Sequence, residues 1–237
     1  MIKIAHESPK DIFDEVQSLT DYDYALVHLF EEDPVYLDQF KKAIAKGREV
    51  ILDNSIFELE EAFDAVKFDK WVNTIRPTWY IVPDALEQSQ KTIDQMEDWN
   101  NKGLGYEGSG ISFDYSYYTK SCPHANKYVS WMLGRVKLLG DLLRDGVINT
   151  SKPHHLLGCG LPQEFSFYKH SDYDWIYSLD TSNPVVHGIK GITYGTDGLW
   201  SKERQKLHEL INSEISMDQL YTIKNNIQKF KWFTNGN

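Results

Sequence analysis

Three aspartates stand at the ends of three apolar runs. Glu49-Val50-Ile51-Leu52 leads into Asp53-Asn54-Ser55, Trp79-Tyr80-Ile81-Val82 into Pro83-Asp84, and Trp175-Ile176-Tyr177-Ser178-Leu179 into Asp180-Thr181-Ser182-Asn183-Pro184. Short runs rich in β-branched and aromatic residues read as buried strands, and the Asn, Ser and Pro that follow build turns. One aspartate in such a place is commonly a helix N-cap. Three on separate strand ends suggest a shared acidic pocket, because the carboxyl edge of a parallel sheet is where α/β folds place their chemistry. At a sugar carbon, paired carboxylates divide the work. One attacks the anomeric centre or stabilises its charge, and the other moves the proton of the leaving group. Glycosyl transfer or hydrolysis is therefore the favoured chemistry.

The elements that must hold these acids follow in order along the chain. A short strand within Met1 to Glu7 precedes a helix over Pro9 to Leu19. Tyr24 to Phe30 reads as a second strand, and Pro34 opens a helix with Leu37, Phe40 and Ile44 inward, stopped by Gly47. After Asp53 comes a helix near Glu60 to Ile75, with Phe63, Val66 and Val72 inward. After Asp84 a helix carries Ile93, Met96 and Trp99. Asn100 to Gly110 is a glycine-rich connector, and Gly110 to Asp114 is a strand. The clearest amphipathic helix spans Lys127 to Asp145, followed by the strand His154 to Cys159, a short helix from Pro162 and the strand ending at Asp180. Two C-terminal helices are carried by Leu207, Leu210 and Ile211 and by Leu220, Ile223 and Ile227. About seven strands alternating with helices predict an α/β fold. Its simplest closure is a (β/α)8 TIM-like barrel, one βα unit short or replaced near residues 100–110. The expected organisation is one domain over 1–237 with C-terminal helices of 201–232 packed on it. An open doubly wound sheet is the alternative.

Bulk properties narrow the function classes. At 237 residues, 41% of them hydrophobic, the chain can bury a full core. No apolar run approaches the roughly 18 residues that span a bilayer. The N-terminal Met1-Ile2-Lys3-Ile4-Ala5-His6-Glu7 lacks the apolar core of a signal peptide, so the expected location is the cytoplasm. Cys122 and Cys159 are expected to be reduced thiols. The net charge of −10 opposes a broad electrostatic attraction for nucleic acid. A local basic patch within Lys120 to Arg144 or Lys224 to Lys231 remains open. The tyrosines at 115, 117 and 118 read as packing or rim residues, or as a surface on which a base stacks. Gly-x-Gly-x-x-Gly follows no expected strand, Gly-x-x-x-x-Gly-Lys-Ser/Thr is absent, and neither Cys122-Pro123-His124 nor His154-His155 with Cys159 has metal-site spacing. No cofactor and no metal are expected.

Four segments together resemble the tRNA-guanine transglycosylase family. Asp53-Asn54-Ser55-Ile56-Phe57 is similar to its Asp-Ser-Gly-Gly-Phe/Tyr motif, and Pro83-Asp84 falls where the family has its base-reading Asp. His155-Leu156-Leu157-Gly158-Cys159-Gly160-Leu161-Pro162 is similar to its Tyr-Leu-Met-Gly-Val-Gly-Thr-Pro strand, and Ser178 to Pro184 to its nucleophile segment. The order holds over roughly residues 49–190, and the whole chain resembles most the short phage-encoded relatives that modify DNA with 7-deazaguanines. The resemblance implies Asp180 as the nucleophile that attacks C1′ and expels guanine. It implies Asp53 as the general acid/base and Asp84 as the acceptor of hydrogen bonds from the base. Phe57 and Leu157 would sandwich that base. Asn54, Ser55, Ser112, Phe113 and Gly158 complete the implied binding set.

The chain also departs from the family. The Val-Gln-Gly strand has no counterpart between Asn101 and Gly110, and Ile56 replaces a glycine. The zinc-binding Cys/His cluster of the tRNA enzymes is absent, which favours DNA over tRNA as the acceptor. The expected partners are nucleic acid and a free preQ0-like base, with no membrane; an oligomer stays open, since the tRNA enzymes work as dimers. A nucleoside or glycoside hydrolase, or a non-catalytic barrel that binds nucleic acid or protein, is the competing expectation.

Overall fold

The computed structural model describes residues 1–81, 109–111 and 115–236. Asp84, Ser112, Phe113, the helix expected around Ile93, nearly all of the glycine-rich connector and the unit expected to be missing lie outside the described residues.

The fold is mixed α/β. The described strands are β1 (Lys3–Ala5), β2 (Asp23–Leu26), β3 (Val50–Asp53), β4 (Trp79–Tyr80), β5 (Ser109–Ile111), β6 (His154–Leu156) and β7 (Ile176–Asp180). They form two sheets, ordered β1-β7-β6-β5 and β2-β3-β4, and every pairing between these strands is parallel. The sheets meet at β1 and β2, where the Asp21 N–H donates to the Ile4 carbonyl at 2.9 Å. Register then aligns the strand ends that matter: Ala5 lies opposite Asp180, and Leu26 opposite Asp53.

Parallel neighbours need crossovers, and helices supply them. The described helices are α1 (Phe13–Gln17), α2 (Leu29–Glu32), α3 (Pro34–Ala45), α4 (Ile56–Leu59), α5 (Ala65–Ile75), α6 (Tyr115–Ser121), α7 (Lys127–Arg144), α8 (Asn183–Ile189) and α9 (Met217–Asn235). Their starts are written in the sequence. Asp33 accepts the N–H groups of Val35 and Tyr36 ahead of Pro34, and Asn126 does the same for Tyr128 and Val129. Ser216 and Gln219 close a capping box on α9. Helix α7 buries Val129, Met132, Leu138, Leu139 and Leu142 against β6, β7 and Phe165. A separate apolar group from the strands, Ala5, Tyr22, Tyr24, Ile51 and Ile81 with Leu157 against it, floors the carboxyl edge.

Several expected boundaries move. The buried run Tyr24 to Phe30 is strand only as far as Leu26 and then turns into α2. A run buried on every side hides the change of period that would mark this boundary. Helix α5 starts at Ala65, not near Glu60, and Val66 is 79% exposed, while Phe68 and Ile75 face the core with Val72 beside them. The seven-residue spacing of 68 and 75 sets the face, and Val66 falls off it. The first expected C-terminal helix is a single 3-10 turn, Leu207–Leu210. Helix α6 lies where no helix is expected, because its tyrosine-rich run carries no helical apolar period. Among the described residues no helix is long and apolar enough to cross a membrane.

Candidate active site

Asp53 ends β3 and Asp180 ends β7. Each is held by donors from neighbouring strands. The Tyr24 hydroxyl, from β2, donates to Asp53 Oδ1 at 2.8 Å, and the Ser55 N–H donates to Oδ2 at 2.8 Å. His155 Nε2, from β6, lies 3.0 Å from Asp180 Oδ1, which also accepts the Gly158 N–H at 3.1 Å. The Tyr24 and His155 rings stack, with centroids 5.6 Å apart and planes 17° from parallel. Tyr22, just before β2, meets His155 edge-on.

The electrostatics tie the two acids together. Burial pushes Asp53 up, the Asp180 charge pushes it further, and the bonds from Tyr24 and Ser55 pull it back, leaving it at about 7. A carboxyl poised there exchanges a proton readily near neutrality. Glu7, two residues beyond β1, is raised well above the ordinary carboxylate value by burial and then by Asp180, Glu58 and Asp53, with Lys202 opposing. Glu58 is raised by burial against the charges of His208 and Lys206. Asp53, Glu7 and Glu58 thus stand with Asp180 at one edge, and burial above all favours the protonated form of the first three, with repulsion between acids adding to it at Asp53 and Glu7.

The turn after β3 is built from its own polar groups. Asn54 Oδ1 accepts the Ile56 N–H, and the Ser55 hydroxyl accepts the His28 N–H at 3.4 Å. Ser55 is fully buried with φ of +60°, a left-handed conformation that suits glycine better. Phe57, on α4, is 56% exposed, whereas Leu157 is half-buried on the apolar floor. Gly158 has φ of +67°, and this left-handed turn presents its N–H to Asp180. Arg135 fixes the same turn from behind. Its guanidinium donates to the carbonyls of Leu157 (2.9 Å) and Gly158 (3.1 Å) while paired with buried Glu164.

Sequence reasoning missed Glu7, Tyr24 and the part played by His155. Glu7 had a signal, since it follows the first strand as the aspartates follow theirs. Among the described residues no cluster of three or more His, Cys, Asp or Glu side chains is arranged to hold a metal ion. A cleft of about 550 Å³ opens at the amino ends of β1, β6 and β7, lined by Ile2, Pro153 and Trp175. It lies at the far end of these strands from the acid cluster. A much smaller pocket touches Glu7 and Tyr24. Compared with known proteins, the chain matches no protein-family model and no curated protein.

Proposed function

We propose that this chain is a transglycosylase that exchanges guanine for a 7-deazaguanine base in nucleic acid, DNA in preference to tRNA, on a (β/α)8-like barrel. The strand order, running β2, β3 and β4 on one side of the Ile4–Asp21 bond and β1, β7, β6 and β5 on the other, favours that closure. The reading rests on one observation: Asp53 and Asp180, far apart in sequence, stand at one edge, each bonded to one ring of the stacked pair Tyr24 and His155. Ser55 adds support, because it occupies a left-handed position where the resembled motif has glycine.

In this reaction an Asp180 oxygen forms a bond to C1′ as the C1′–N bond to guanine breaks. The bonding pair leaves with guanine, which takes the proton held by Asp53. The incoming base returns a proton to Asp53, and its ring nitrogen attacks C1′ and expels the Asp180 carboxylate. Tyr24 and Ser55 hold Asp53, and His155 and Gly158 hold Asp180, so both enter the reaction with fixed geometry.

The test is incubation of guanine-containing DNA, and separately tRNA, with labelled preQ0. Wild type incorporates label, and denatured samples carry an Asp180–sugar adduct. Asp180→Ala does neither. Wild type indistinguishable from Asp180→Ala on both acceptors would end the proposal. Release of free guanine without incorporation would select the hydrolase, which the same acid pair serves with water as acceptor.

A further inference from the structure

We propose that the face built from the start of α7 and the segment Trp200 to Arg204 is the docking surface for a single-stranded stretch of the nucleic-acid substrate. This deepens the proposed function and rests on it for the choice of ligand.

The face combines the two ingredients such a strand requires, stacking planes and cations. Tyr115 and Trp131 stack at 4.1 Å and 17°, and Tyr115 is still 39% exposed. Trp200 is 63% exposed, with its backbone carbonyl held by the Asn126 side chain at 2.8 Å. The cations are not spread at random. Lys127 lies 5.0 Å from the Tyr128 ring and 5.9 Å from Trp131, and Arg204 lies 5.4 Å from Trp131. Both are exposed. The neighbouring acid, Glu203, stands beside His187, to whose Nε2 its backbone N–H donates at 3.4 Å and on which its charge acts. In a chain of net charge −10, an exposed aromatic platform flanked by two cations is complementary to a phosphate backbone with unstacked bases.

The face is also continuous with the acid cluster. Two residues past Trp200, Lys202 donates to the Cys159 carbonyl at 2.6 Å, and its charge acts on Glu7. Cys159 follows Gly158, whose N–H holds Asp180. A strand lying on Trp200 and Arg204 is thereby delivered to the edge where the acids stand.

The experiment reads fluorescence anisotropy of a labelled guanine-containing single-stranded oligonucleotide at several salt concentrations. Wild type binds with an affinity that falls as salt rises. Lys127→Glu/Arg204→Glu weakens binding by about tenfold or more and flattens the salt slope by about 0.7 for each phosphate left without its cation. Trp200→Ala weakens binding several-fold through the missing stacking plane and leaves the salt slope unchanged. The altered side chains are exposed, and circular dichroism checks that each variant is folded. Variants that bind as wild type does, or a wild type that does not bind, overturn the inference. So does a change of oligomeric state in the double variant without any oligonucleotide binding, which would make the face a contact between copies. Patch-dependent binding with no base incorporation would sink the transglycosylase and leave the surface standing. Wild-type incorporation by the double variant on the oligonucleotide would do the reverse.

Discussion

The ring of Tyr24 lies flat against the ring of His155, and each ring holds one of the two acids, Tyr24 through its hydroxyl on Asp53 and His155 through Nε2 on Asp180. One stacked pair therefore sets the positions of both carboxyls. Burial, then the charges of Asp180 and Asp53, keeps the Tyr24 hydroxyl protonated far above neutrality, so it donates at every working pH. His155 Nδ1 is fixed by Ser178 Oγ at 2.8 Å, which orients the ring. The two acids differ in their surroundings, and in the proposed reaction that difference separates a proton carrier from a nucleophile.

Replacing Tyr24 with Phe keeps the stack and removes one donor. The Tyr24 bond lowers the Asp53 pKa, so its loss moves that pKa upward from about 7. One hydrogen bond to a charged group corresponds to a rise of about one pH unit. Carboxyl titration followed by carbon NMR checks this, and a value unmoved or lowered in the variant contradicts the assignment. If Asp53 acts as the acid, the alkaline limb of the exchange rate shifts the same way.

Asp53 also makes stability depend on pH. Its pKa in the folded chain, about 7, lies above the ordinary 3.8 expected on unfolding. The stabilising contribution of its protonated form is complete below 3.8 and fades as pH rises to about 7, because the unfolded chain gives up the proton first. The loss runs at about 1.4 kcal/mol per pH unit within that window. Asp53→Asn removes the dependence, so urea denaturation should show the variant gaining on wild type from pH 4 to pH 7 and holding its lead above. Parallel curves would refute the assignment.

Much of this frame is legible in sequence, and the limits have physical causes. Strand-end aspartates announce themselves by repetition, since one alone is commonly a helix N-cap, and Asp53 and Asp180 fall at the ends of β3 and β7. Asp33 before Pro34 and Asn126 before α7 are local signals and mark true helix starts. Tyr24 is different. Inside a run buried from Tyr22 to Phe30 it looks like any core aromatic, and its role depends on a partner strand 131 residues away at His155. His155 is similarly hidden, because adjacent His154 turns away to the Asn149 carbonyl and makes the pair look like packing. Long-range pairings of this kind have no local signature.

Arg135 and Glu164 form an ion pair with side-chain exposures of 5% and 1%. Removing one partner of such a pair leaves the other charge buried alone, so Arg135→Met should destabilise the fold by about 3–5 kcal/mol. It also frees the carbonyls of Leu157 and Gly158, loosening the turn that presents an N–H to Asp180. The double variant Arg135→Met/Glu164→Leu should recover most of the stability without restoring the turn. Denaturation midpoints test the first half, and the yield of trapped Asp180 adduct tests the second. A double variant no more stable than the single would show that the lone charge is not the source of the cost.

Gly134 lets α6 and α7 touch. A Cβ there would sit 2.0 Å from the Tyr118 carbonyl oxygen and 2.5 Å from its carbon, backbone atoms that have no rotamer to escape into. Gly134→Ala must therefore push α6 away from α7, although alanine is the better helix former. Overpacking of this kind costs about 1–3 kcal/mol, which exceeds the gain of about 1 kcal/mol in helix propensity. The displacement reaches the platform as well, since Tyr115 rides on α6 and Trp131 on α7, and their stack requires the two helices at their present spacing. The variant should be less stable to urea, and its Trp131 emission should change as Tyr115 separates. Unchanged stability together with unchanged emission would mean that α6 does not pack on Gly134.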